Sequence, residues 1–597
     1  MIDRLAAEAA FFGGVMRTLK ATMPIAKNPQ RIFPQVISEM AEKFGPTPAL
    51  ISPRERFTYA ELNARAYRYA RWALQQGIRK GDTLCVLMSG SPEYIALWIG
   101  LIRVGGVVAL LNTKLTGSAL AHCINIAAPK HVVVAADLLE ALQGARAEIS
   151  AEPTIWVHGA SAADFPRIDS LVDDCAGEEL APSDLPVLTT EDRALFIYTS
   201  GTTGLPKAAN LNHYRVMLVA HAFAAVMKIK PRDRMYDCLP LYHTAGGVAA
   251  AGALLVRGGS VVIRENFSVR YFWEDVVRWN CSCFQYIGEL CRYLVNSPPH
   301  ENERSHQLRI ACGNGLRPEI WHEFQTRFRI PEIVEFYGST EGNVTLFNFD
   351  GKEGAVGRIP WWLGRPFPVK IVRLDDERQH ELRDARGFCI ECSPGEPGEV
   401  IGKVVKDASM PGSRFEGYAS AADTQRKLLL DAFEKGDVWF RTGDLMYRDK
   451  RGYFYFVDRI GDTYRWKGEN VSTIEVERAL GRFDGVLEAN VYGVAVHGYD
   501  GRTGMAAIVA RDDLDLTALR THLAKQLPPY ALPLFLRVRR DLDVTTTFKQ
   551  KKIELVGEGF DPVRSSDPIY FNDPHRSAFV RLDPETYRRI NTAEIRL

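Results

Sequence analysis

The chain has 597 residues, of which 46% are hydrophobic and 25% charged, with a formal net charge of +1 at pH 7. That length is several times the usual domain size, so two or more domains, each with its own core, are expected. The charge balance gives no electrostatic reason to expect nucleic acid as a partner. Of the ten cysteines, only Cys281/Cys283 and Cys389/Cys392 lie close together, which excludes the paired spacing of a zinc ribbon and reads as incidental thiols in a reducing compartment.

Near the N-terminus, "LAAEAAFFGGVM" (Leu5 to Met16) is apolar but interrupted by Glu8. It is shorter than the roughly twenty residues of a spanning helix and lacks the small-residue cleavage site of a secretory signal. Arg4, Arg17, Lys20 and Lys27 surround it, so two readings stand: a helix docked on its own domain, or one lying on an anionic membrane surface. Phe57 to Ile78 reads as a short extended run followed by an amphipathic helix, and the segment after it as a βαβ rhythm. "HVVVAA" and "ALFIYTSG" are apolar runs with little alternation, the pattern of parallel strands covered on both faces.

The polar stretch from Asp173 to Asp192 reads as a linker or long surface loop. A second α/β unit follows, with "DRMYDCLPLYH", the small-residue helix "TAGGVAAAGALL" and the strand "IVEFYGSTEGN". The small side chains of that helix either leave room for a long acyl chain or let helices pack closely. From about Arg365 to Asp458, short strands with Gly, Pro and Asp turns fit a small antiparallel barrel. The remainder alternates helix and strand again. The expected divisions are 1–190 and 191–364 as two α/β subdomains, 365–457 as a small β-barrel, and 458–597 as a smaller mobile α+β domain.

The chemistry concentrates in a few loops. In "YTSGTTGLPK", Thr199, Ser200, Thr202 and Thr203 supply hydroxyls, Gly201 and Gly204 flexibility, and Lys207 a positive charge. Phosphate is the natural guest of such a loop. The spacing is neither that of the P-loop nor that of a dinucleotide fingerprint. "YGSTEG" (Tyr337 to Gly342) offers an aromatic to stack on a base and a carboxylate able to hold Mg²⁺. "RTGDL" places Asp444 in a turn where it could accept from ribose hydroxyls, and "TTTFKQKK" lies in a polar loop near the end. Taken singly, Asp444 also reads as a turn former, Glu341 as a helix cap and Lys549 as a solvated charge.

Together, in this order, these motifs resemble the acyl-adenylate-forming superfamily, over nearly the whole chain. "IYTSGTTGLPKAA", "DRIGDTYRWKGENVSTIEVE" and "TTTFKQKK" look like its fatty acid transport protein and very-long-chain acyl-CoA synthetase branch. One departure stands out: Thr546 occupies the place of the glycine in that branch's "TGTFK".

The resemblance implies an enzyme in which a fatty acid carboxylate attacks the α-phosphorus of ATP to give acyl-AMP and pyrophosphate, and the CoA thiol then displaces AMP. It implies that Thr199 to Lys207 cradle the β- and γ-phosphates, Tyr337 and Gly338 face adenine, Thr340 contacts the α-phosphate and Glu341 binds Mg²⁺. Asp444 and Arg459 would hold ribose, and Lys549 would bridge the carboxylate and the α-phosphate. His243, Gly313, Asn314 and Gly315 would border the acyl pocket, Lys467 and Gly468 would meet CoA, and Gly461 would act as the hinge of the C-terminal domain. Other acids with the same chemistry (carnitine-like, bile-acid-like or aromatic), fatty acid uptake by acyl-CoA trapping, and transfer to a carrier protein stay open. So do a homodimer and a place in the cytoplasm or on the inner face of a membrane.

Overall fold

The computed structural model describes residues 2–160, 164–199, 206–360, 363–364, 367–375, 380–405, 412–466, 469–497, 499, 501–542, 552–574, 576–592, 594–595 and 597. It divides into two compact units, Met1–Val369 with Gly402–Thr442, and Lys370–Ile401 with Gly443–Leu597. The short strands expected for 365–457 are thus shared between the two.

The first unit is built on two sheets. One has six strands in the order Thr154–His158, His131–Ala135, Thr83–Leu87, Val107–Leu110, Arg193–Thr199 and Lys207–Asn212. All pairings are parallel except the last, where the chain turns back on itself. Burial on both faces explains their continuous apolar composition. The other sheet has eight strands, in the order Thr345–Phe347, Glu332–Gly338, Ile310–Asn314, Cys283–Ile287, Arg234–Asp237, Ser260–Ile263, Pro48–Ile51 and Arg56–Thr58. Only its two edge pairings are antiparallel. The fold is therefore α/β, as expected from the sequence.

Local signals set the helices. Thr58 and Glu61 form a reciprocal capping box that starts the helix Tyr59–Gln75. Its buried face meets the helix Pro92–Arg103 so closely that a Cβ on Gly100 would stand 2.4 Å from the Ala66 carbonyl oxygen. The Asp173–Asp192 stretch begins docked on the same helix, with Arg71 Nη1 donating to the Ala176 carbonyl at 2.8 Å and Arg71 Nη2 to that of Glu179 at 3.2 Å. The N-terminal apolar run belongs to a longer helix, Ile2–Lys27, which packs against His213–Val226. Phe11 meets the Phe349 ring edge-on at 5.7 Å, and Arg358 pairs with Glu8.

The small-residue helix departs from the expected form: Thr244–Ala251 is a π-helix that continues as an α-helix over Gly252–Leu255. A Cβ on Gly246 would lie 2.7 Å from the Pro240 carbonyl oxygen, and one on Gly247 2.2 Å from that of Leu241. The small residues there allow close backbone packing.

In the second unit, five strands follow the order Val486–Val494, Thr503–Ala510, Phe535–Arg539, Ile569–Asp573 and Ala578–Arg581. Helices Thr473–Gly481 and Leu516–Gln526 bury Val476, Leu480, Leu519 and Leu523 in one apolar cluster with this sheet. Ile553–Glu558 and Pro584–Asn591 contribute Leu555 and Ile590 to a second cluster. All ten cysteines are buried. No helix among the described residues is long and apolar enough to cross a membrane.

Candidate active site

In the first unit, the candidate residues gather at the carboxyl ends of strands, where open α/β sheets bind ligands. Thr199 ends one strand and pairs with Lys207 at the start of the next, so the glycine loop connects two adjacent antiparallel strands. Ser200, Gly201, Thr202, Thr203 and Gly204 lie outside the described residues. Lys207 Nζ lies 2.9 Å from Asp423 Oδ1 and 5.8 Å from the centre of the Tyr418 ring. The pairing with Lys207 holds the Asp423 carboxyl below its ordinary range.

Tyr418 is brought there by backbone pairing. Asn210 N donates to the Gly417 carbonyl at 3.0 Å and Ala419 N to that of Ala208 at 2.9 Å, which lays 417–419 along the strand Lys207–Asn212. The Tyr418 hydroxyl then donates to Glu341 Oε1 at 2.6 Å. Glu341 Oε2 is buried with no hydrogen-bond partner among the described residues. Tyr418 thus stands between the lysine and the carboxylate.

Glu341 follows the strand Glu332–Gly338, on which Tyr337 is half-buried and Gly338 exposed. Arg215 holds the turn after it, with Nη2 donating to the carbonyls of Ser339 at 3.2 Å, Thr340 at 3.3 Å and Gly342. Burial pushes the Arg215 guanidinium down, opposed by Glu341. Arg215 is placed by the helix His213–Val226, whose N-cap Asn212 accepts from the Arg215 amide at 2.9 Å.

Thr340 Oγ1 lies 2.9 Å from Thr244 Oγ1, which ties this turn to the start of the π-helix and to its neighbour His243. The His243 ring is half-buried, 4.7 Å from that of Tyr242. Gly313 and Asn314 end the strand Ile310–Asn314, and Gly315 turns away from it at φ +82°. In the second unit, Asp444 pairs with Arg459 across two antiparallel strands, Arg459 Nε lying 3.5 Å from Asp444 Oδ1.

Gly461 follows at φ +95°, a conformation that L side chains rarely adopt. Beside it, buried Asp458 accepts from Thr473 N at 2.7 Å and from Thr473 Oγ1 at 3.0 Å. Lys552 Nζ donates to the same Thr473 hydroxyl at 2.9 Å and lies 3.7 Å from Asp462. Burial pushes the Asp458 carboxyl up, and Lys552 opposes the shift. Lys467, Gly468 and Lys549 lie outside the described residues.

Several contributors escape the sequence reading. Arg215 left a usable signal, a charge inside an otherwise apolar helix. Tyr418 and Asp423 left none, because their partners lie far off in the chain, and Lys552 lies within "TTTFKQKK" but its partner Thr473 does not show there. Lys207, the Tyr418 and Thr340 hydroxyls and a buried carboxylate oxygen without a partner among the described residues suit a polyphosphate with a hard divalent cation. Among the described residues, no group of three His, Cys, Asp or Glu side chains could hold a metal by itself.

Residues 37–406 match the AMP-binding enzyme family model, and residues 475–549 match that of the AMP-binding enzyme C-terminal domain. Long-chain fatty acid transport protein 1 of Homo sapiens is 40% identical over 566 residues, covering 94% of this chain and 87% of that protein. Among solved structures, an anthranilate CoA ligase bound to anthranoyl-AMP superposes with a TM-score of 0.75 at 18% identity, covering 88% of this chain and 96% of that one. ATP-bound MatB from Rhodopseudomonas palustris gives 0.73 at 23% identity, covering 89% and 100%. At these identities the two structures establish the fold. The chain belongs to the AMP-binding enzyme family, in the branch of the long-chain fatty acid transport proteins.

Proposed function

We propose that the protein activates a long- or very-long-chain fatty acid with ATP, forming acyl-AMP and pyrophosphate, and then transfers the acyl group to CoA. The observation that carries the first step is the constellation of Lys207, Tyr418 and Glu341, with Thr340 beside it. The acyl class rests on the fatty acid transport proteins that the chain matches almost end to end.

In this reading, the loop from Thr199 to Lys207 takes the β- and γ-phosphates, and Thr340 takes the α-phosphate. Tyr337 and Gly338 border adenine, and Asp444 with Arg459 holds ribose. Lys549 bridges the fatty acid carboxylate and the α-phosphate, and Lys467 with Gly468 receives CoA. Gly461 is the hinge of a C-terminal domain spanning 458–597. His243 and Gly313 to Gly315 border the acyl group. The unpaired Glu341 Oε2 fits Mg²⁺, which Glu341 would hold. When bound, Mg²⁺ supplies positive charge that offsets the charge on phosphoryl oxygens.

Mass spectrometry of products from ATP, Mg²⁺ and a panel of short, long, very long and aromatic acids, with and without CoA, tests this. Long-chain thioesters formed only with CoA support it. Thioesters of aromatic or bile-acid-like acids alone would replace the acyl class, and acyl-AMP persisting despite CoA would replace the second step.

One further observation favours peripheral membrane association. The outward row of the helix Ile2–Lys27 carries Phe12, Met16 and Met23, exposed by 53%, 49% and 44%, interleaved with exposed Arg17, Lys20 and Lys27. Apolar side chains flanked by cations suit an anionic bilayer surface. Sedimentation with phosphatidylglycerol vesicles but not with phosphatidylcholine vesicles is the expected result.

A further inference from the structure

The strand Glu332–Gly338 buries an acid. Glu335 is 2% exposed and two residues ahead of Tyr337. An ionisable group in such a place is costly unless its oxygens are used, and here both are. Glu335 Oε1 accepts from Leu316 N at 2.9 Å and from the Tyr286 hydroxyl at 2.8 Å, while Oε2 accepts from Gly315 N at 3.0 Å. Burial pushes the carboxyl up to about 8, against these three donors.

Three neighbouring parallel strands place these partners. Tyr286, Gly313 and Glu335 lie in one row across the sheet, Tyr286 opposite Gly313 and Gly313 opposite Glu335. Glycine in the middle leaves the path open, since a Cβ there would stand 2.4 Å from the Tyr286 ring. From the other side, Gly288 admits the turn: a Cβ on it would meet the Gly315 carbonyl oxygen at 1.8 Å. The turn from Gly313 to Leu316 is therefore held between Gly288 and the Glu335 carboxyl group.

The same strand runs on into Tyr337 and then into the turn of Thr340 and Glu341. A group that fixes the Gly315 and Leu316 amides to this strand fixes the distance between the two loops.

We propose that Glu335 is a positioning residue for the acid substrate: it sets the place of the Gly313–Leu316 turn relative to the nucleotide loop, and so decides which acids fit. This rests on the assignment of that turn to the acyl group. Glu335→Gln keeps the shape and one acceptor oxygen but turns an amide NH₂ toward the Gly315 N–H. Leaving one buried amide unpaired is enough to move the turn, with an effect of about tenfold.

The test is steady-state kinetics of the full-length Glu335→Gln protein with saturated acids of increasing length, together with hydrogen exchange at the Gly315 and Leu316 amides. The expected result is a KM for the best acid raised about tenfold, a shifted chain-length preference, a KM for ATP changed by less than about twofold, and faster exchange at the two amides. A lowered melting temperature with an unchanged acid profile and unchanged KM for the acid would overturn the proposal, as would equal rises in both KM values. Should Glu335→Gln fail to fold, Tyr286→Phe decides: a smaller shift in the same direction supports the proposal, and a wild-type acid profile overturns it. If the wild-type protein activates no acid of the panel, the functional reading itself fails. Exchange at Gly315 and Leu316 then decides the clamp alone, wild-type-like protection in the variant overturning it.

Discussion

The Tyr418 hydroxyl donates to Glu341 Oε1 at 2.6 Å while Glu341 Oε2 has no partner among the described residues. One oxygen is thus used to orient the carboxylate, and the other is the one that the proposed function gives to Mg²⁺. Tyr418→Phe removes a buried hydrogen bond to a charged group and should cost about 1.5–3 kcal/mol in thermal or denaturant unfolding. It should also raise the Mg²⁺ concentration for half-maximal adenylation, because Glu341 loses its orienting contact. Glu341→Gln should raise it further. An unchanged Mg²⁺ dependence in both variants would remove Glu341 as the metal ligand.

Lys207 already has an anionic partner in Asp423, at 2.9 Å. In the proposed reading, a phosphate entering the loop competes with that carboxylate for Lys207. Asp423→Asn should therefore lower the KM for ATP by roughly twofold to fivefold, the worth of a partly exposed ion pair, and Lys207→Ala should raise it. If Asp423→Asn instead weakens ATP binding, the carboxylate orients Lys207 and does not compete for it.

Lys549→Ala should abolish most adenylation but spare transfer from preformed acyl-AMP to CoA, because the lysine is assigned only to the first half-reaction. Rapid-quench measurement of each half-reaction separates the two. Equal losses would withdraw the assignment.

Two buried histidines predict a pH-dependent stability difference. Burial pushes His213 and His221 down to about 4, below the unfolded value of about 6.5. Between these values the unfolded chain binds more protons, so each histidine costs stability as the pH falls through that window, by up to about 3 kcal/mol. Glu335 acts with the opposite sign: raised to about 8, it costs stability as the pH rises from about 4.5 to 8. A comparison of variants isolates one term. The melting temperature of His221→Leu minus that of the wild type should become more positive from pH 7 to pH 5; a constant difference would mean that His221 is not buried neutral.

Much of this fold is legible in the sequence because its signals are local. Apolar runs such as His131–Ala135 mark the parallel strands, and the Thr58/Glu61 box marks a helix start. The positions of Tyr337, Thr340 and Glu341 around the end of one strand could likewise be read from "IVEFYGSTEGN". The π-helical form of Thr244–Ala251 could not, since it depends on the backbone of 239–241 against Gly246 and Gly247. Tyr418 and Asp423 were also out of reach: they lie more than 200 residues from Lys207 and acquire meaning only when 417–419 pairs beside it. Glu335 was hidden for a different reason. In an apolar strand it looks like an edge residue, and only the three donors around it show why an acid is buried there.

The most direct test of the central claim is ATP–pyrophosphate exchange by the purified full-length protein, with and without a long-chain fatty acid, in the absence of CoA. Exchange that requires the fatty acid and Mg²⁺ but not CoA is the predicted result, because acyl-AMP must form before the thiol acts. No exchange with any carboxylic acid, or exchange that appears only when CoA is added, would contradict the two-step reading.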